Sequence, residues 1–597
     1  MIKKIVAGAA VLILLISSLL VMPAINHSLA EMAASVVGSA KGFQNVYWQP
    51  FIASFGISGI LVSMVILCSI FINKINLHTQ MVLCGVFISA LLIFIGIIVY
   101  NYSVNWIKSD HSSEMVLGKL LANENKLVSS NWKYSTELRL FYQQIFMMPL
   151  FKLFNNWRLV RTLTVLFNNI LLLCSFFFMM GHLKVGLKWI MLTSIFLLVP
   201  INTYYWDTVT FGGYYVFFLA MFLFLLGLFA ILTNYKDRKT NKLSFCIFCI
   251  LSVMLGMGGI RALLDIQTPL FITCFIAYYF NKPHKNKNYF RLGLISLLLC
   301  TVGSGFNFLL HAFFKFHSFA GTGLTNFHNQ LFQKLGNTIV EFLEYFGYRP
   351  DSKMFSPAGV FSILSVFLLM FIIIASIKLV KENYSITNGT WNSKTFFLLF
   401  FIVTSVFHSV LFLFLENDAV NSRYNIPFMF LYVPVLAILF EQIVRKFHAA
   451  ESRFIICLMV ITIFGTGALN FQNIVAVKHN DVRQGYITYL EKNKLRFGFA
   501  SYWNANVTTE ITNGAVEMVG LNPENIHAIN NWLLPVLYND PNYYKGETFL
   551  LLTGNEYETY KNEDWLSQKK AGYSDKDFIL FRYPSEMIVF KEVLRVQ

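Results

Sequence analysis

Apolar side chains fill runs long enough to cross a bilayer near residues 5–22, 51–72, 81–100, 159–180, 189–203, 212–233, 244–260, 262–280, 292–313, 357–377, 396–415, 425–444 and 454–469. This pattern predicts about thirteen transmembrane helices; the run at 189–203 is short, which fits a broken or tilted span. Between and after these runs lie three polar or mixed stretches too long to be simple connectors: 101–158, 314–356 and everything from Asn470. In the first, Met115, Leu117, Leu120 and Leu121 suggest an amphipathic helix along the membrane surface, and Gln143–Phe154 suggests a second, apolar one. The tail changes character. Short apolar or alternating runs at 495–501, 515–521, 549–553, 578–583 and 587–593 are separated by turns rich in Asn, Gly and Pro, which predicts a small α+β domain.

Composition agrees: 56% of the 597 residues are hydrophobic, 13% are charged, and 61 are Phe. The net charge of +16 does not indicate nucleic acid, because the tail from Asn470 holds 13 Lys and Arg against 15 Asp and Glu. The basic excess therefore belongs to the membrane half, mostly in short loops. With Lys3 and Lys4 inside, the loops Asn73–Gln80, Gly181–Lys188, Asn234–Lys242, Asn281–Arg291, Lys378–Lys394 and Arg445–Arg453 all face the cytoplasm, and each carries Lys or Arg. Asp110, Glu114, Asp207 and the tail then face outward. Ser28-Leu29-Ala30 resembles a cleavage site, but the first apolar run is long for a signal peptide and reads as a retained anchor. All eight cysteines fall in hydrophobic runs, so no disulfide framework is expected, and Cys246-x-x-Cys249 lacks partner ligands.

These patterns divide the chain into an N-terminal transmembrane hairpin (1–80), a multi-span membrane domain (81–469) with outer loops 101–158 and 314–356, and an extracytoplasmic α+β domain (470–597). Several ionisable groups sit where chemistry could occur. Asp110 and Glu114, four residues apart, share one side of a helix just past a span. Tyr134 to Arg139 adds Glu137 and Arg139, which either pair with each other or serve a site at the lipid interface. Arg261 and Asp265 form another pair at membrane depth, either a structural ion pair or a guanidinium facing a lipid phosphate. Asp207 follows the aromatic Tyr204-Tyr205-Trp206, and Arg423-Tyr424 opens a late span with Pro427 one turn inside, either as interfacial anchors or as a headgroup clamp.

The segments Asp110-His111-Ser112-Ser113-Glu114-Met115, Trp132 to Arg139, Ser422 to Pro427 and Tyr502-Trp503-Asn504-Ala505-Asn506 resemble those of the GT-C superfamily of integral membrane glycosyltransferases, in particular multi-pass members of Gram-positive bacteria. The resemblance covers most of the chain. It departs in the extra hairpin before the span leading to Asp110. It implies an all-α polytopic fold, an outer-face active site in a bacterial plasma membrane, and a sugar donor carried on a polyprenyl phosphate. Asp110 matches the family's catalytic acid and would be the base, with Glu114 supporting it. Arg423, Tyr424, Arg261 and Arg139 would meet the donor phosphate, and Glu137, Tyr134 and Asp207 the substrates. The acceptor would be an envelope glycan, lipid or protein. Some relatives bind a divalent metal and others do not, so no cofactor is assigned. A polysaccharide polymerase or ligase, a lipid-linked glycan flippase, and a membrane scaffold remain as other readings.

Overall fold

The computed structural model describes residues 77–316 and 331–594, apart from 136–137, 139, 235–237, 281–286, 387–390, 415–425 and 477–481, and a few isolated positions before residue 77. The described helices begin with α1 (Leu77–Tyr102), α2 (Ser109–Glu124), α3 (Gln144–Leu153), α4 (Trp157–His182), α5 (Leu187–Leu197), α6 (Val216–Asn234) and α7 (Arg238–Gly256). They continue as α8 (Ile260–Tyr279), α9 (Lys287–Leu310), α10 (Leu331–Tyr345), α11 (Pro357–Ile386), α12 (Ser393–Phe414), α13 (Ile426–Lys446) and α14 (Ala449–Ala476). Eight of these, α1, α4, α6, α8, α9, α11, α12 and α14, are long and apolar enough to span a bilayer. The chain is a multi-pass membrane protein.

The expected count of thirteen spans is not reached among the described residues. The run at 189–203 forms only the 11-residue α5, roughly 16 Å long. It stops before Pro200, whose ring cannot continue a helix. The apolar part of α7 is confined to Lys242–Gly256. The run at 425–444 forms α13, and the runs at 5–22 and 51–72 lie outside the described residues.

The chain divides into two compact units. The first holds residues up to Ile98, Val165–Asn307 and the chain from 320 to Ala476. In it α6 packs on α7, α8 on α12, α5 on α13, and α11 on both α12 and α14. Two helical stretches widen into π turns, Trp206–Thr210 and Leu263–Gln267, which carry Asp207 and Asp265. Such turns are rare and concentrate at functional sites. Asn202 caps the turn leading to the first: its Oδ1 accepts from Tyr205 N at 2.6 Å, and its Nδ2 donates to the Tyr345 carbonyl. Asn470 Nδ2 donates to the carbonyls of Asn202 and Pro200 at 2.8 and 3.2 Å. The seven described cysteines are free.

The second unit gathers Val99–Thr164, Phe308–Phe319 and the tail from Val477. Its tail contains α15 (Gln484–Lys492), β3 (Phe497–Ser501), α16 (Tyr502–Ile511), β4 (Glu517–Asn522), β5 (Asn525–Ile529), β6 (Leu534–Pro535), β7 (Thr548–Thr553), β8 (Tyr573–Ser574) and β9 (Phe578–Tyr583). Six strands form a sheet in the order β5-β4-β3-β7-β9-β8, with β3 parallel to both β4 and β7. The run at 587–593 is helical, as Glu586–Glu592.

Alternation explains why β7 is a continuous apolar run. Leu550 and Leu552 join one buried cluster with Phe497, Phe499 and Val519, while Phe549 and Leu551 join another with Ala500 and Met518. A sheet covered on both faces needs apolar residues at every position. A smaller sheet knits the three segments of this unit together. In it β1 (Trp132–Tyr134) pairs in parallel with β2 (Lys315–Phe316) and antiparallel with β6.

The helix expected to be amphipathic does not have one exposed polar face. Ser109 and His111 to Gly118 are buried, because α2 packs on α3 and α16. Its near-uniform burial follows from neighbours on more than one side, one of them supplied by the tail.

Candidate active site

Helix α2 starts at Ser109, where the Lys108 N–H donates to His111 Nδ1 at 3.2 Å. That places Asp110 in the first turn, where the positive end of the helix favours a carboxylate. Asp110 is half-buried, and its Oδ1 accepts a hydrogen bond of 2.6 Å from the Tyr502 hydroxyl.

Tyr502 is the first residue of α16, at the carboxyl end of β3. β3 connects through α16 to β4 on one side while β7 flanks the other, so the strand order switches there. Sheets with parallel strands present ligand-binding crevices at that position. The Tyr502 ring stacks on Trp532 with centroids 5.7 Å apart and planes 5° from parallel, and Trp503 packs edge-on beside it while remaining 59% exposed.

A buried ion pair fixes the two helices that carry Asp110 and Tyr502. Arg161, 2% exposed, donates through Nε and Nη2 to both carboxylate oxygens of Glu510 at 2.5 and 2.7 Å. Its Nη2 also donates to the His111 carbonyl at 3.0 Å. Helix α16 ends in a left-handed turn at Asn513 and Gly514, with φ of 55° and 74°. There Asn513 Oδ1 accepts from Trp157 N at 3.0 Å, so the tail also caps the start of α4.

Other sequence-derived candidates occupy varied settings. Glu114 is 6% exposed and accepts a hydrogen bond from Gln144 Nε2. Tyr134 is turned into the core against Phe314 and Phe316, and its hydroxyl accepts from Ser129 N at 3.0 Å. Burial, with the nearby charges of Glu124 and Glu114 and against the Ser129 hydrogen bond, pushes the Tyr134 phenol up to about 12. It is therefore a neutral hydroxyl at physiological pH.

In the other unit, Arg261 donates to the Tyr215 hydroxyl and lies over that ring with its guanidinium carbon 5.1 Å from the centroid. Asp207 is half-buried in its π turn. Glu137, Arg139, Arg423 and Tyr424 lie outside the described residues. His311 stacks on Phe316 with ring centroids 3.8 Å apart. No group of three or more His, Cys, Asp or Glu suited to a metal ion occurs among the described residues.

Sequence reading missed Arg161, Glu510 and Gln144, and noticed Tyr502 only within a resembling segment. Arg161 had a legible signal, since a charge inside an apolar run is costly unless paired.

No protein-family model and no curated protein matches the chain. Among solved structures, ArnT from Cupriavidus metallidurans bound to undecaprenyl phosphate matches with a TM-score of 0.51 at 10% identity, over 83% of this chain and 97% of that one. The oligosaccharyltransferase of Archaeoglobus fulgidus, in complex with Zn and sulfate, matches with a TM-score of 0.46 at 12% identity, over 84% of this chain and 76% of that one. The likeness to ArnT is one of fold: the chain is a multi-pass membrane protein that shares the fold of that structure.

Proposed function

We propose that this chain is a membrane glycosyltransferase that moves a sugar from a polyprenyl-phosphate donor to an acceptor hydroxyl of the cell envelope, on the outer face of a bacterial plasma membrane. In this reading the N-terminus is cytoplasmic and the tail extracytoplasmic. The observation that carries it is a half-exposed Asp110 carboxylate oriented by Tyr502. It occurs in a chain that shares its fold with a protein solved bound to undecaprenyl phosphate.

Transfer needs a base for the acceptor hydroxyl and positive charge where the leaving phosphate develops its own. Asp110 takes the acceptor proton as its oxygen attacks the anomeric carbon. The bond to the lipid phosphate breaks on the opposite face, so a single displacement inverts the sugar. Glu114, held by Gln144, sets the field behind Asp110. Arg261 and, from the sequence, Arg139 and Arg423 with Tyr424 are the candidates to neutralise the phosphate; Glu137, Tyr134 and Asp207 are candidate substrate contacts.

The test replaces Asp110 with Asn and compares envelope glycan composition in cells carrying wild type, variant or no copy of the chain. The variant should match the deletion. Full sugar decoration by Asp110→Asn, with decoration lost on deletion, removes Asp110 as the base.

A further inference from the structure

The second unit contains a polar cavity of about 260 Å³ that the proposed chemistry does not use. Tyr100, Ser103, Val104 and Ile107 line it from the end of one apolar span, Asn156 and Arg158 from the start of another, and Glu510, Ile511 and Asn513 from the end of α16. Asp110, Glu114 and Tyr134 are not part of its lining. At roughly 30 Å³ of liquid volume per water, it has room for several waters or one compact polar group.

Three observations define what that group is. Ser103 is 2% exposed, and its hydroxyl has no hydrogen-bond partner among the described residues. A buried hydroxyl left so is costly and calls for a partner from the cavity. Both oxygens of Glu510 are taken by Arg161, so its charge is already compensated. Arg158, in contrast, is exposed and forms no ion pair among the described residues, which leaves a planar cation at the rim. The cavity also lies where two spans end, with Tyr100 beside it, as expected of the headgroup level of a bilayer.

We propose that this cavity binds a phosphate ester, with Arg158 pairing with the charge, Ser103 donating its hydroxyl, and the Asn156 amide completing the cradle. The chemistry suits an anionic phospholipid headgroup reaching in from the leaflet, and equally a soluble phosphate.

The full-length protein in nanodiscs separates these sources. In discs of mixed phosphatidylcholine and phosphatidylglycerol, native mass spectrometry should find phosphatidylglycerol retained by wild type. Retention should fall on the order of tenfold for Arg158→Ala, the loss of one charge-assisted contact, with partial recovery for Arg158→Lys. In discs of phosphatidylcholine alone, a rise in thermal midpoint with millimolar inorganic phosphate that Arg158→Ala and Ser103→Ala abolish assigns a soluble phosphate instead. Ser103→Ala should weaken whichever ligand binds. If Arg158→Ala retains phosphatidylglycerol as wild type does, and phosphate leaves every midpoint unmoved, the cavity holds only water and the proposal is overturned.

Discussion

The Tyr502 hydroxyl donates to Asp110 Oδ1 at 2.6 Å across 392 residues of chain. The bond selects one orientation of the carboxylate that is proposed to take the acceptor proton. Tyr502→Phe keeps the ring stacked on Trp532 and removes only the donor. Transfer should slow by roughly tenfold, the worth of one hydrogen bond to a charged group, while the thermal midpoint barely moves. Steady-state rates with a lipid-linked sugar check this; an unchanged rate means that Tyr502 does not position Asp110.

The Arg161–Glu510 pair predicts a different pattern. Removing one partner leaves a buried charge uncompensated, so Arg161→Met or Glu510→Leu should each destabilise by about 3–5 kcal/mol. The double variant should recover most of that loss, though not all, because the His111 carbonyl also loses a donor. Pulse proteolysis of the purified protein reads all three, and additive losses in the double variant would show that the pair is not coupled.

Glu586 gives a pH dependence. Its side chain is fully buried, one oxygen accepts from Tyr544 N at 2.7 Å, and the other has no partner among the described residues. Burial, aided by Asp540 and opposed by the Tyr544 N–H, raises its carboxyl to about 7. The folded chain thus holds a proton that the unfolded chain releases near 4.5. The stability this contributes is full below about pH 4.5 and is lost as pH rises through 7. Glu586→Gln should flatten that decline in thermal midpoint across pH 5 to 8; an identical slope in the variant would count against it.

Lys133 runs the opposite way. It lies in β1 beside Lys315, is 6% exposed, and donates to Asn531 Oδ1 at 2.5 Å. Burial first, and then Lys315, lowers its ammonium to about 8. Between about pH 8 and 10.5 the unfolded chain binds the extra proton, so stability should climb with pH through that window. Lys133→Met should raise the midpoint at pH 7 and abolish the climb, as differential scanning fluorimetry would record.

Much of the fold was legible because the bilayer imposes a length on every span and a two-sided sheet imposes unbroken apolar strands. That logic located the eight long spans and β3, β4, β7 and β9. At 189–203 the spacing gave no sign that the helix is only 11 residues long and almost wholly buried, because burial in protein and burial in lipid favour the same apolar side chains. The π turns at Asp207 and Asp265 left no mark in hydrophobic spacing, since one extra residue per turn is invisible among uniformly apolar neighbours. Asp110 was legible from its place after a span. Its partner Tyr502 was not, because contacts between segments so far apart leave no local pattern.

The small sheet has a consequence in time. β1 is its central strand, and β6 is made only after the last span has been inserted. At ribosomal speeds of 5–20 residues per second, roughly 20–80 s separate synthesis of Asp110 from synthesis of Tyr502. Throughout that interval one edge of β1 is open and Asp110 lacks its tyrosine. A chain cut short before Leu534 can thread the membrane completely and still never assemble the surroundings of its proposed base.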